Sequence, residues 1–261
     1  MCFDLDSRPP IAPIAGGALD STALTLDAAD GNRLRAFRAR ATTPTGAGIV
    51  ILPDVRGLHP YYEELALRFA EHGIDALAID YFGRTAGLGG REHGFEFMRH
   101  VNQLTWEGLA ADVRAGVEHL RMADERRVEA LFAIGFCMGG RLAFLTPTLG
   151  LGLAGSIGMY GIPVGVGRAG MAAPDEVAAD MANPVLGLFG AADPSIPPES
   201  VAAFEAALTK AGVEHRIVSY EGAPHSFFDR KADEFSEASR QAWDETLTFV
   251  RGRTPSVMAR A

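Results

Sequence analysis

The stretch Gly-Phe-Cys-Met-Gly-Gly, residues 135–140, decides the fold. An apolar run, 128–134, precedes it, and residues 141–146 continue as a predicted helix that closes at Pro147. Gly-x-Cys-x-Gly between a strand and a helix is typical of a nucleophile elbow, where small neighbours let the chain turn sharply. The sequence therefore predicts that Cys137 projects beyond the edge of a sheet. There it would face the positive end of the following helix, which favours the thiolate.

Predicted strands and helices alternate on both sides of this elbow. Residues 48–52 form a continuous apolar run, as in a strand that is buried on both faces. Residues 59–73 carry apolar side chains at helical spacing and end at a glycine. The same patterns predict strands at 74–80, 128–135, 153–161, 184–190 and 213–222, and helices at 103–122, 138–146, 198–212 and 234–251. This alternation predicts an α/β fold with a mostly parallel sheet and helices on both faces.

The predicted organisation is one domain with two loose ends. Residues 1–20, rich in Pro and Gly, indicate an extended N-terminal arm, 21–252 a single domain, and 253–261 a frayed tail. The Asp30-Gly31 pair within residues 29–32 predicts a hairpin turn between two strands. Residues 83–100 fit the alternation least well, which indicates an excursion over the site.

Composition limits the classes of partner. The chain has 261 residues, 48% of them apolar and 22% charged, and a net charge of −9, without a Lys/Arg-rich run. We therefore expect a small-molecule substrate, with no nucleic acid and no membrane as partner, and a monomer or homodimer. No apolar run reaches the roughly 18 residues of a membrane span, and Asp4 interrupts any secretory signal, which predicts a cytoplasmic location. Two cysteines exclude a disulfide framework and give no reason to expect a metal.

A thiol nucleophile needs a base, and the base needs a group that orients it. Asp193 follows the predicted strand 184–190, and His225 follows the predicted strand 213–222. Taken singly, Asp193 would be an ordinary turn residue, His225 a loop histidine and Cys137 a buried thiol. Their order along the chain is that of α/β-hydrolases, and the carboxyl ends of parallel strands meet at one edge. We therefore expect Cys137, His225 and Asp193 to form a catalytic triad.

With these motifs the sequence resembles the dienelactone hydrolase family of the α/β-hydrolases, over about residues 22–250. The matching segments are GFCMGG (135–140), LPDVRG (52–57), IDYFGR (79–84), MYG (159–161), GAADPSIP (190–197) and GAPHSF (222–227). The resemblance implies an α/β-hydrolase fold without a large cap domain. It also implies hydrolysis of an enol lactone such as dienelactone, formed in aromatic compound degradation, with neither a metal nor an organic cofactor.

The resemblance further implies roles around the triad. The backbone N–H groups of Met138 and Val55 would form the oxyanion hole, and Tyr160 would support the pocket. In the family, an acidic residue holds the resting thiol until substrate displaces it. That position is Asp54 here, where a glutamate is more usual.

Arginines bind the substrate carboxylate in family members that act on dienelactone. Arg84 lies near one such place, and Arg56 stands where an aromatic residue is more usual, so its charge is a second candidate. The arginine expected shortly after the histidine is absent or shifted by one, because the sequence reads Asp229-Arg230.

The cysteine itself indicates the kind of substrate. A thiolate leaves a tetrahedral intermediate more easily than an alkoxide does, so a plain alkyl ester would revert and expel Cys137. Activated acyl donors are therefore predicted: enol lactones, aryl esters or thioesters. Three hypotheses stay open: a dienelactone-type hydrolase, a general aryl-esterase or thioesterase, and a non-catalytic ligand-binding or redox-responsive protein on the same fold.

Overall fold

A computed structural model describes residues 7–91, 94–122, 128–229 and 231–255. Its strands are β1 (Ala18–Asp27), β2 (Arg33–Ala41), β3 (Ala47–Leu52), β4 (Ile74–Ile79), β5 (Ala130–Phe136), β6 (Gly155–Met159), β7 (Val185–Gly190) and β8 (His215–Tyr220). Its helices are α1 (Pro60–Glu71), α2 (Gly83–Ala86), α3 (Phe97–Val101), α4 (Trp106–Met122), α5 (Met138–Leu145), α6 (Pro198–Ala211) and α7 (Ser236–Gly252). Short 3-10 turns lie at Thr146–Leu149, Arg168–Gly170 and Ala178–Asp180.

The strands form one sheet in the order β1-β2-β4-β3-β5-β6-β7-β8. Pairing is parallel throughout from β4 to β8, and antiparallel where β2 meets β1 and β4. The predicted mostly parallel sheet is therefore confirmed.

The predicted hairpin joins β1 and β2. The Gly31 N–H donates to the Ala28 oxygen at 2.9 Å, and the Ala28 N–H donates to the Asn32 oxygen at 2.8 Å. Strand β1 already begins at Ala18, three residues before the predicted start of the domain. Residues 1–6 and 256–261 lie outside the described ranges, so the domain boundaries stay predictions.

Both faces of the sheet are covered because β3 presents alternate side chains to opposite sides. Ile49 and Ile51 pack in a core with α1 and α7, and Val50 and Leu52 pack in a second core with α4. All six residues of β3 are buried, as the continuous apolar run predicts.

The segment predicted as an excursion, 83–100, contains α2 and the start of α3. A buried ion pair between Arg91 and Asp80 anchors it to the end of β4. The Arg91 guanidinium also lies over the rings of Phe82 and Phe95, 5.8 and 5.0 Å from their centroids. No helix in the described parts of the chain has the length and apolar character needed to cross a bilayer.

Candidate active site

Cys137 lies at the sharp turn between β5 and α5, with φ 55° and ψ −112°. Such a backbone conformation is costly for a residue with a side chain and persists only where the surroundings impose it. Here the imposing contact is close packing of glycines. A Cβ on Gly135 would lie 2.8 Å from the Gly140 nitrogen and closer still to the main chain of Gly139. The elbow predicted from the sequence is therefore present in the backbone.

Strained backbone is concentrated around this elbow. Among the described residues, four that are not glycine have a positive φ: Cys137, Tyr160, Ala169 and Ser226. Tyr160 follows β6, Ala169 lies in a loop beside the elbow, and Ser226 follows His225. Unfavourable dihedrals of this kind cluster at functional sites, where the fold holds side chains in fixed directions.

His225 and Asp193 are joined by a hydrogen bond between Nδ1 and Oδ2 of 2.5 Å. The Asp193 side chain is almost fully buried, and its Oδ1 accepts from the Ser195 N–H at 2.8 Å, so the carboxylate is fixed. In neutral histidine one ring nitrogen carries the proton and the other is basic. An Nδ1–H donated to Asp193 makes Nε2 the basic nitrogen of His225.

Tyr160 connects the cysteine and histidine sides of the sheet edge. The Cys137 N–H donates to the oxygen of Met159 at 3.0 Å, and the ring of Tyr160 lies 5.1 Å from that of His225. The Tyr160 hydroxyl donates to Oδ2 of Asp229 at 2.9 Å. Burial and the Asp229 carboxylate hold the pKa of Tyr160 well above its usual range, so its phenol is neutral. No sequence pattern indicates this role for Asp229, because its partner Tyr160 lies 69 positions away.

Two backbone N–H groups border Cys137 without an acceptor in the described chain: those of Val55 and Met138. Val55 lies in a turn that Asp54 fixes. Oδ1 of the wholly buried Asp54 accepts from the Arg56 N–H at 2.8 Å, and its backbone oxygen accepts from the Gly57 N–H at 3.1 Å. Preorganised donors of this kind are suited to stabilising an oxyanion.

A cavity of about 340 Å³ opens beside Cys137. Cys137 is the one member of the predicted triad among its described lining residues, and His225 and Asp193 are not. Its lining is Val55, Cys137, Met138, Arg141, Ile162, Val166, Gly167, Arg168 and Met171. No sequence motif marks Arg141 or the loop 162–171 as part of a site.

The two arginines predicted to bind substrate are engaged elsewhere. Arg84 donates to Oδ2 of Asp30 at 2.5 Å and to Oδ1 of Asp112 at 2.9 Å, so two carboxylates compensate its charge. Arg56 is mostly buried, and its guanidinium lies 5.9 Å from the ring of Phe97. Neither arginine is among the described residues that line the cavity. Their substrate roles stay predictions.

The described ranges contain no group of three His, Cys, Asp or Glu side chains arranged to hold a metal ion. Buried His59 lies near the predicted site and is surrounded by Arg56, Arg91 and Asp80. Burial, reinforced by Arg56, lowers its pKa to about 4. A neutral imidazole at the start of α1 is therefore part of the packing under the site.

Residues 34–253 match the sequence model of the dienelactone hydrolase family. A Yersinia pestis protein described as "Putative carboxymethylenebutenolidase" is 27% identical over 226 residues, which is 84% of each chain. A Bradyrhizobium protein described as "Probable 2-oxo-3-(5-oxofuran-2-ylidene)propanoate lactonase" is 27% identical over 211 residues, 78% of this chain and 82% of that protein. The crystal structure of a "Putative Dienelactone Hydrolase" from Klebsiella pneumoniae superposes with a TM-score of 0.73 at 27% identity, over 89% of this chain and 99% of that one.

Proposed function

The chain belongs to the dienelactone hydrolase family and is a hydrolase of carboxylic esters or lactones, and we propose that it acts on activated acyl groups through Cys137. One observation carries this proposal. Cys137 occupies a strained elbow and lines a cavity with Val55 and Met138, whose backbone N–H groups have no acceptor among the described residues. The same sheet edge holds a histidine that is hydrogen-bonded to a buried aspartate.

Acylation begins with the thiolate of Cys137. His225 takes the thiol proton at Nε2, and Asp193 stabilises the resulting imidazolium through the bond at Nδ1. The sulfur then bonds to the acyl carbon, and the carbonyl electron pair moves onto oxygen. The Val55 and Met138 N–H groups donate to this oxyanion, and loss of one such donor typically costs about 10²–10³-fold in rate.

Collapse of the tetrahedral intermediate breaks the acyl carbon–oxygen bond. The leaving oxygen takes the bonding pair and receives the proton held by His225, which leaves a thioester on Cys137. A water molecule that His225 deprotonates then attacks the thioester carbon, and the Cys137 thiolate departs. The sum of both steps is the ester or lactone plus water giving the free acid and the enol or phenol. A thioester would give the acid and a thiol by the same steps, with its acyl carbon–sulfur bond broken instead.

The preferred substrate in this proposal is an enol lactone such as dienelactone. An enolate competes with thiolate as a leaving group, whereas a simple alkoxide does not. The Bradyrhizobium relative is named for a 5-oxofuran-2-ylidene substrate, which is an enol lactone. In a lactone the leaving oxygen stays tethered to the acyl group, so one ring-opened product is released after hydrolysis.

A second candidate is a general aryl-esterase or thioesterase, and Arg84 favours it. The charge predicted to bind a substrate carboxylate is compensated by Asp30 and Asp112. A substrate without a carboxylate would not need that charge. Both candidates use the same elbow and the same leaving-group chemistry.

The role of Asp54 as partner of the resting thiol is part of the proposal. In addition, its Oδ1 holds the turn that carries the Val55 donor. Asp54→Asn separates the two roles, because an amide oxygen still accepts from Arg56 but the negative charge is lost. A change in the rate at which iodoacetamide alkylates Cys137 in Asp54→Asn would support the resting pair, and an unchanged rate would oppose it.

The test compares turnover of a dienelactone and of p-nitrophenyl acetate by the native protein, Cys137→Ala and Cys137→Ser. Cys2→Ala is the matched control for the loss of a thiol. We expect Cys137→Ala to abolish both reactions, Cys137→Ser to retain little, and Cys2→Ala to behave as the native protein. Hydrolysis of the aryl ester alone would select the second candidate. Native-like turnover by Cys137→Ser would refute the need for a thiolate, and no turnover by the native protein would favour a binding protein.

A further inference from the structure

The cavity beside Cys137 has one wall that the proposed triad chemistry does not use. This wall is the loop 162–171, which follows β6 and contributes Ile162, Val166, Gly167, Arg168 and Met171 to the lining. A bound acyl group must extend from Cys137 into some space, and Cys137 is one of the residues that line this cavity. The chemistry of the wall therefore bears directly on which acyl groups fit.

Arg141 holds the wall in place. It lies one helical turn after Cys137, and its backbone N–H donates to the Cys137 oxygen at 3.1 Å. Its guanidinium donates to the backbone oxygens of Ile162 and Val164, each at 3.1 Å, and to that of Ala172 at 2.6 Å. A guanidinium presents its donors in a rigid fork, so several carbonyls bound to it are held in fixed relative positions.

Close packing between this arginine and the loop reinforces the arrangement. A Cβ on Gly167 would lie 2.5 Å from Nε of Arg141 and 2.9 Å from its Cζ. The wall is thus preformed by the residue that follows the elbow, rather than assembled around a ligand. Most of the donors of Arg141 are occupied by the main chain of the wall, so the side chains left to meet a ligand are those of the wall itself, mainly Ile162, Val166 and Arg168.

Two of the three apolar side chains of the wall are exposed, whereas the third, Met171, is buried. Val166 is 98% exposed and Ile162 is 41% exposed, and both border the cavity. Large apolar side chains in water gain free energy when a ligand covers them, and the gain grows with the apolar area removed from water. A volume of about 340 Å³ lies at the lower end of the range for small-molecule pockets, which favours acyl groups of modest length.

We propose that the loop 162–171, held by Arg141, is an acyl subsite for an apolar chain of modest length. The inference deepens the second candidate of the proposed function, because an aryl-esterase or thioesterase with this subsite prefers activated esters or thioesters of apolar carboxylic acids. This inference rests on the proposed acyl-enzyme at Cys137. Each methylene that the wall covers should raise kcat/KM about fourfold, the equivalent of about 0.8 kcal/mol.

The first test is a chain-length series of p-nitrophenyl esters from acetate to octanoate. We expect kcat/KM of the native protein to rise at least tenfold from acetate to hexanoate. The ratio of hexanoate to acetate should fall several-fold in Val166→Ser and in Ile162→Ser. Met122→Ser is the matched control, because Met122 is 82% exposed but does not line this cavity, and it should keep the native ratio.

The second test does not depend on turnover. Hexanamide should protect Cys137 from alkylation by iodoacetamide at lower concentration than acetamide does, and Val166→Ser should weaken that protection. Protection without turnover would sustain the subsite and defeat the proposed hydrolase mechanism. If p-nitrophenyl acetate is hydrolysed by Cys137 but kcat/KM does not rise with chain length, the hydrolase mechanism is supported and the apolar subsite is refuted.

A carboxylate-binding cavity would overturn the proposal. Arg168 also lines the cavity, and it would bind the negative end of a dicarboxylic half-ester. The native protein would then turn over mono(p-nitrophenyl) succinate faster than p-nitrophenyl butyrate, and Arg168→Gln would lose that preference. This result would assign the cavity to anionic acyl groups. Equal ratios in the native protein and both wall variants would likewise refute an apolar subsite.

Discussion

Replacing Gly139 by alanine should separate the two proposed oxyanion donors. Gly139 is the second residue of α5 and packs against the end of β3. An added Cβ would lie 2.7 Å from the carbonyl carbon of Leu52, and closer still to the carbonyl oxygens of Leu52 and Pro53. Carbon atoms in contact are about 3.5–4.0 Å apart, so α5 must withdraw from β3 by about 1 Å.

This movement changes the site more than the stability of the protein. The Met138 N–H moves with α5, whereas the Val55 N–H stays with the turn after β3. A misplacement of about 1 Å can cost about 10²-fold in rate, which is also the lower bound for loss of one oxyanion donor. Overpacking costs about 1–3 kcal/mol, and alanine recovers about 1 kcal/mol through its helix propensity. We therefore expect a folded variant with a kcat about 10²-fold below the native value.

The assay is turnover of p-nitrophenyl acetate, measured together with the thermal midpoint and the alkylation rate of Cys137. Gly252→Ala is the matched control, because Gly252 ends α7 and an added Cβ there meets no atom within 4 Å. It should match the native protein in all three measurements. A folded Gly139→Ala that retains kcat within threefold of native, with Cys137 still reactive, would refute the idea that this packing sets the oxyanion hole.

Asp193→Asn should lower kcat by about 10⁴-fold with the fold retained, because the amide favours the wrong tautomer of His225 and cannot stabilise its charged form. Esterase kinetics with circular dichroism check this, and a loss below tenfold would contradict it. Asp54→Ala should lower the free energy of unfolding by about 1–3 kcal/mol, since the Arg56 N–H loses its acceptor, and Asp54→Asn should lose less. Urea unfolding distinguishes the pair, and equal losses would mean that the turn does not depend on this acceptor. Burial holds the pKa of His59 at about 4, below the usual 6.5, so between these values the unfolded chain binds a proton that the folded chain does not. The contribution of neutral His59 to the free energy of unfolding is fully present above pH 6.5. It is lost as pH falls toward 4, by roughly 3 kcal/mol. Between pH 7 and pH 4.5 the native protein should therefore lose more free energy of unfolding than His59→Gln does. Equal losses in the two proteins would exclude His59 as the cause.

Several features could be predicted because they depend on local sequence. The apolar run 48–52 favours a strand that is covered on both faces, and β3 is one. The Asp-Gly pair at 30–31 places the hairpin, because glycine tolerates a positive φ that other residues avoid. The elbow could be predicted for the same reason, since glycines around Cys137 permit contacts that any side chain would prevent.

The positions of Asp193 and His225 follow from topology rather than from local sequence. Each comes after a strand, and carboxyl ends of parallel strands share one edge of the sheet. The sequence could therefore predict that the two residues approach one another, and the 2.5 Å bond between them agrees with that expectation. Their catalytic roles are proposals that rest on this geometry and on the family.

The partners of the arginines were decided only by the tertiary structure. Arg84 pairs with Asp30 and Asp112, which lie 54 and 28 positions away, and the family pattern gave no indication of this pairing. Ion pairs between distant residues depend on which surfaces the fold brings together. The sequence identifies the charges but not the distances between them.

The wall of the cavity shows most clearly what cannot be predicted from the sequence. The acceptors of Arg141 are backbone oxygens of the 162–172 segment, and a backbone oxygen has the same chemistry in every residue. No pattern of side chains can therefore predict that contact. The sequence by itself determined the sheet, the elbow and the residue types at its edge. Only the folded chain decided which charges are neutralised and which apolar side chains face the space beside Cys137.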